Sequence, residues 1–278
     1  MSVTVFIAVL FAALLHAGWN AIVKTGLNKQ TSMFLLSVGH ALCGLGVVSV
    51  NPIPAPGVWP WLLASGAVHM AYQLFLAYAY DHGDLSRVYP IARGTAPLVV
   101  LVIGALFLSD TLAGAEVLGI VVLGAGIALM ARGALKSGES RRMLPFAFGA
   151  AMATAAYTLT DGLGARVSGA PVAYVGWLMI LSALFYAPVA VALKGSAVLR
   201  ADRRGWALGM VAAAASFGAY AIAVWAMTKA PIALVGALRE TSILFAVLIG
   251  WLAFGDRMDR VKLVAAGLIV GGVALTRL

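Results

Sequence analysis

The chain has 278 residues, 63% of them hydrophobic and only 10% charged, with a mean hydropathy of +1.00. Ordinary soluble domains are roughly 45–50% apolar, so this composition excludes a water-soluble globular protein and a disordered one. The formal charge of +9 does not mark a nucleic-acid binder, because the basic residues fall into alternate loops instead of one patch.

Apolar runs of about 20 residues, the length a helix needs to cross roughly 30 Å of hydrocarbon, recur along the whole chain. Ten spans are predicted, at about 3–23, 31–50, 59–80, 88–108, 113–131, 143–163, 171–193, 205–227, 231–254 and 261–276. The alternating ten-residue strands of a β-barrel are absent. The first span opens without a basic lead and is too long for a signal-peptide core, so it is expected to be retained. It carries His16, Asn20 and Lys24 at intervals of four, one stripe of a helix, with Trp19 at the edge. The second holds Cys43, a small packing group. The third presents His69, Tyr72, Gln73 and Tyr80 on one face, with Tyr78 close by.

The fourth span enters through YPIARGTAP (89–97), which sets Arg93 about 8 Å inside the membrane by helix rise. Pro97 has no N–H for the Arg93 carbonyl and Gly94 loosens the same turn, so a kinked backbone beside a cavity is expected there. The sixth span repeats the stripe of the first with Thr154, Tyr157, Thr158 and Asp161. The eighth carries Ser216 and Tyr220, with Trp225 beyond them. In the ninth, Arg239 and Glu240 are adjacent; on a regular helix such neighbours point about 100° apart, so each is expected to find another partner. Glu240 is read as the only carboxylate well inside a span. The fifth and tenth spans hold Gly119, Gly124 and Gly126, and Gly267, Gly271 and Gly272, which suit close packing outside the cavity or an oligomer face. Trp59, Trp61, Trp177 and Trp206 fit an interfacial belt.

Leaving Arg93 and Arg239 aside, the odd-numbered loops carry fourteen basic residues and the other side only Arg166, Lys229 and Arg277. The positive-inside rule then puts odd loops in the cytoplasm and both termini outside. Sliding the chain on itself by 146 residues aligns RGTAPLVVLVIGALFLSD (93–110) with RETSILFAVLIGWLAFGD (239–256). Arg93 meets Arg239, and Asp110 meets Asp256. At slightly different offsets His16, Trp19 and Asn20 meet Thr154, Tyr157 and Thr158, while His69, Gln73 and Tyr78 meet Ser216, Tyr220 and Trp225. The expected architecture is an all-α polytopic membrane protein of ten helices, in two inverted five-helix repeats (1–137 and 138–278) around a central cavity.

Ten spans, paired halves, the acids closing the fourth and ninth spans in LSD and FGD, and the Gly-rich fifth and tenth spans resemble the drug/metabolite transporter superfamily in its ten-helix EamA form. The chain is similar over its whole length, most of all to bacterial amino-acid exporters. The resemblance implies a secondary transporter in the bacterial inner membrane, with a small-molecule substrate and the lipid bilayer as partners, and no cofactor, metal or nucleic acid. One departure bears on substrate: the four-helix relatives that expel cationic drugs carry a carboxylate in their first span, where this chain has His16.

The candidate substrate-binding set is His16, Trp19, Asn20, His69, Tyr72, Gln73, Tyr78, Arg93, Tyr157, Thr158, Tyr220, Trp225, Arg239 and Glu240. Paired arginines suit a carboxylate, and Glu240 an amine or a proton. The alternatives are proton-coupled transport of drugs or other organic solutes such as phosphonates and, from another class, a channel or membrane scaffold. An enzyme is disfavoured, since neither H-E-x-x-H nor G-x-S-x-G occurs.

Overall fold

The computed structural model describes residues 1–24, 29–82, 95–135, 142–255 and 258–278. Within them every regular element is helical, which satisfies backbone polar groups inside each segment, as hydrocarbon demands. The helices are α1 (Val3–Lys24), α2 (Lys29–Val48), α3 (Trp59–His82), α4 (Ala96–Phe107), α5 (Gly114–Leu135), α6 (Met143–Ser168), α7 (Pro171–Lys194), α8 (Arg203–Met227), α9 (Ile232–Arg239), α10 (Ser242–Phe254) and α11 (Arg260–Leu275). They supply the ten expected spans, with α9 and α10 forming the ninth together. The turn at Gly94 expected in the fourth span, and Arg93 itself, lie outside the described residues, as does the expected boundary between residues 137 and 138.

Local chemistry sets the helix ends. Gly169, at φ 64°, stops α6 in a left-handed turn that other residues adopt only with strain, and Pro171 at the first turn of α7 restarts the chain. Asp202 and Asp259 cap α8 and α11, accepting from the Gly205 and Lys262 N–H groups at 2.8 and 2.9 Å.

The packing follows the repeat. Helix α3 lies against α6 and α1 against α8, while α2 pairs with α7, α4 with α9, and α5 with α11. Exchanging the halves maps the α3–α6 pair onto α8–α1 and returns each of the other pairs to itself. That is the contact pattern of an inverted repeat. The Gly-rich spans face each other: a Cβ on Gly272 would stand 2.6 Å from the Leu123 N and 2.7 Å from the Gly119 O, and one on Gly119 would stand 2.7 Å from the Gly272 O. Helices α5 and α11 thus approach at backbone distance at Gly119, Gly126 and Gly272, the close packing expected of these glycines, while a Cβ at Gly267 or Gly271 would meet nothing within 4 Å. Both termini share one face of the bundle, where the Arg277 guanidinium donates to the Met1 carbonyl at 2.8 Å and sits 5.0 Å over the Phe6 ring.

Candidate functional site

The ninth span breaks where its charges lie. After Arg239 the backbone bonds shorten from four-residue to three-residue spacing: the Glu240 N–H donates to Ala237, Thr241 to Leu238 and Ile243 to Glu240, at 3.0, 3.1 and 3.0 Å. Regular α-helix resumes at Ser242. The expected span over 231–254 is thus present but tightens to three-residue spacing for one turn at Glu240 and Thr241, both still in helical dihedrals, and adjacent side chains in such a turn point about 120° apart, so Arg239 and Glu240 diverge as expected. Arg239 closes α9, where a cation suits the negative end of the helix dipole, and Glu240 precedes α10, where an anion suits the positive end. Both are buried, at 8% and 3% exposure. The break lies eight residues, or about 12 Å, below the start of α9.

The Arg239 guanidinium lies over the Tyr220 ring, 5.1 Å from its centroid. Tyr220 in turn donates its hydroxyl to the Asp161 carboxylate. Tyr174 donates to the other carboxylate oxygen at 3.1 Å, and His69 Nε2 approaches Asp161 at 3.1 Å and the Tyr220 hydroxyl at 3.3 Å. The His69 ring stacks on Tyr157 with centroids 4.3 Å apart, and Tyr72 meets Tyr157 edge-on at 5.5 Å. One turn along α3, the Gln73 amide donates to Ser182 at 3.3 Å. Thr158 lines α9, its methyl 3.5 Å from where a Cβ of Gly236 would stand. Six candidate residues (His69, Tyr72, Tyr157, Thr158, Tyr220 and Arg239) thus gather around the broken span, with Gln73 beside them.

Other candidates stand apart. In α1 the Trp19 indole donates to His16 Nδ1 at 3.2 Å and the Asn20 amide to the His16 carbonyl at 2.7 Å, and Trp19 packs with Leu36, Ala212 and Ala213. Tyr78 sits near the far end of α3, stacked on Phe146 and under Lys194. Trp225 belongs to an apolar cluster at the terminal face. The reading of Glu240 as the only carboxylate deep in a span is also corrected: Asp161 is 0% exposed. The sequence reading ended the sixth span at 163, but α6 runs to Ser168 and puts Asp161 seven residues, about 10 Å, inside the helix. Its place in the stripe of Thr154, Tyr157 and Thr158 was the signal that pointed to it. Tyr174 had no such signal, being one aromatic in an apolar run.

At the terminal face the sequence missed a second cluster. The Arg166 guanidinium donates to both Asp110 oxygens at 2.7 and 3.0 Å and to the carbonyls of Met227 and Ala230 at 2.9 and 3.1 Å. Asp110 also accepts from the Ile232 N–H at 2.9 Å, capping α9. This bidentate clamp joins the ends of α4, α6, α8 and α9, five residues above Asp161 on α6.

The comparisons with known proteins agree with this architecture. A solved structure described only as "Crystal structure of protein" superposes with a TM-score of 0.79 at 19% identity, over 99% of this chain and 98% of that one, which establishes the fold. No curated protein sequence matches. The sequence model of the EamA-like transporter family matches residues 3–132 and again 141–278, one match to each half. With both halves matched and its helices packed as an inverted repeat, the chain belongs to the EamA-like transporter family, membrane transporters of small solutes.

Proposed function

We propose that the protein moves small zwitterionic metabolites, amino acids foremost, out of the cell by alternating access, and that the break in the ninth span holds the solute. The observation that carries this reading is the buried Arg239–Glu240 pair at the junction of two half-helices. Discontinuous spans bind solutes near the midplane of many transporters, because half-helix ends and freed backbone groups face the ligand there. Arg239 meets a carboxylate with two parallel bonds, Glu240 meets an amine, and Tyr157, Tyr220, Tyr72 and His69 form an aromatic wall. Arg93, matched to Arg239 by the repeat, is proposed as the counterpart from the first half. The outward direction rests on the resemblance to amino-acid exporters.

The test is transport in reconstituted vesicles offered labelled amino acids, phosphonates and organic cations in turn. Amino acids are expected to move, and Glu240→Gln to lower the preference for amino acids over simple carboxylates. Transport of organic cations but not amino acids would replace this reading with a drug exporter, although α1 carries no acid. Phosphonate transport unaffected by Glu240→Gln would replace it with an anion carrier.

A further inference from the structure

The interior holds more titratable chemistry than a zwitterion pocket uses. Groups from three other helices converge on the Asp161 carboxylate: His69 from α3, Tyr174 from α7 and Tyr220 from α8. Tyr157, from α6 itself, stacks on His69, and His40 of α2 lies close enough to His69 for their charges to interact. Arg239 reaches the cluster from α9 across the Tyr220 ring.

Two observations separate this cluster from ordinary interhelical glue. The first is asymmetry. Exchange of the halves pairs Asp161 with Val23, at the offset that pairs Asn20 with Thr158, and pairs His69 with Ser216. The α1–α8 contact therefore forms without either group, so the α3–α6 contact does not require them for packing. The second is charge. Among the described residues, the buried residues with permanent or carboxylate charge are Asp161, Glu240 and Arg239, two carboxylates against one guanidinium. Of these Asp161 is the most deeply buried, and its bonding partners are His69, Tyr174 and Tyr220, with no guanidinium or ammonium among them. Uncompensated charge inside a membrane is costly, so titratable groups there are functional candidates by default.

We propose that Asp161 and His69 form the protein's proton site, taking up one proton from water on one side of the membrane and releasing it on the other in each transport cycle. The assignment rests on the transport reading above and adds to it a coupling site separate from Arg239–Glu240. The proton comes from water and returns to water, so only one O–H or N–H bond forms and breaks. Tyr220 links the two sites: its hydroxyl serves Asp161 while its ring lies under Arg239. A solute carboxylate that draws Arg239 off that ring frees Tyr220 to turn, so solute and proton occupancy change together.

Two measurements on the full-length protein test this. In pH-titrated infrared difference spectra of detergent-solubilised protein, a carboxylic-acid C=O band is expected to grow as pH falls, to vanish in Asp161→Asn and to persist in Glu240→Gln. The Asn variant keeps the shape and one acceptor oxygen, its NH2 donating to the hydroxyl of the other tyrosine; if it does not fold, Asp161→Glu is expected to move the band. A band unmoved by Asp161→Glu, or one lost in Glu240→Gln and kept in Asp161→Asn, overturns the site. In vesicles given an equimolar mixture of the twenty labelled proteinogenic amino acids, a gradient of about one pH unit drives about tenfold accumulation when one proton is coupled. Asp161→Asn is expected to abolish that accumulation while exchange at equal pH continues. Accumulation equal to wild type, or loss of exchange along with accumulation, overturns the coupling role. If the wild type moves no amino acid, the transport reading fails, and the infrared titration still decides the proton site.

Discussion

Arg239 is held by burial, by the end of α9 and by the face of Tyr220, and none of these uses all of its five donors. In Arg239→Gln the helix end and the packing persist while the charge is lost. The half-saturating concentration of a transported amino acid is expected to rise about tenfold or more, since a desolvated charge-assisted bond contributes roughly 1.5–3 kcal/mol. Arg239→Lys should recover part of this, because a compact ammonium lacks the planar fork. Unchanged half-saturation in the Gln variant, measured in the vesicle assay, would reduce Arg239 to a helix-end cation stacked on Tyr220. Glu240 differs in kind: its carboxylate is buried at the entry to α10, so its removal touches both helix end and ligand.

At the scale of elements, two contacts hold the halves together by different physics. The Asp110–Arg166 clamp is polar and partly buried, with side-chain exposures of 19% and 31%, and spans four helix ends. Arg166→Gln leaves Asp110 capping α9 but removes the bidentate pair and the bonds to Met227 and Ala230. Thermal unfolding in detergent is expected to show a loss of about 1–3 kcal/mol, near the value for charged hydrogen bonds at such exposure. No shift in the midpoint would mean that water replaces the clamp without cost. The α5–α11 contact is instead steric. Gly272→Val places methyl groups where the Leu123 N and Gly119 O already stand within 2.7 Å, so the helices must separate. A loss of about 2 kcal/mol or more in the same assay is expected, against a small effect for Gly267→Ala, whose Cβ meets nothing within 4 Å.

At the scale of the whole molecule, the terminal face carries Met1, Arg277 and the clamp, and among the described residues the opposite helix ends carry Arg142, Lys194, Arg203 and Arg260. From the fourteen-to-three division of basic residues we propose that the terminal face lies outside the cell. A membrane-impermeant thiol reagent applied from outside should label a cysteine placed near Pro56 and miss one near Ser137. The reverse labelling would invert the orientation. Seven of the candidate residues, His69, Gln73, Tyr157, Thr158, Tyr220, Arg239 and Glu240, are each below a tenth exposed. Solute entry therefore requires the halves to rock apart, as alternating access of an inverted repeat supplies.

The sequence alone determined the environment and the count of spans, because a helix in hydrocarbon must be apolar over its full length and its composition shows this directly. It also determined the repeat, since charged residues within apolar runs are too rare for Arg93 and Arg239 to align by drift, and the stripe holding His69, Tyr72 and Gln73. What it left open concerns residues joined across helices. Asp161 and His69 are 92 positions apart and Arg166 and Asp110 are 56 apart, so no local periodicity relates them. The α1 stripe of His16, Trp19 and Asn20 was as regular as that of α3, yet Trp19 donates to the His16 ring and packs toward α2 and α8, while Asn20 donates to the His16 carbonyl. The break at Arg239–Glu240 has no proline or glycine to announce it. Tertiary packing decides these points, because a side chain's neighbours depend on how each helix is turned in the bundle, and periodicity fixes which residues share a face without fixing what that face meets.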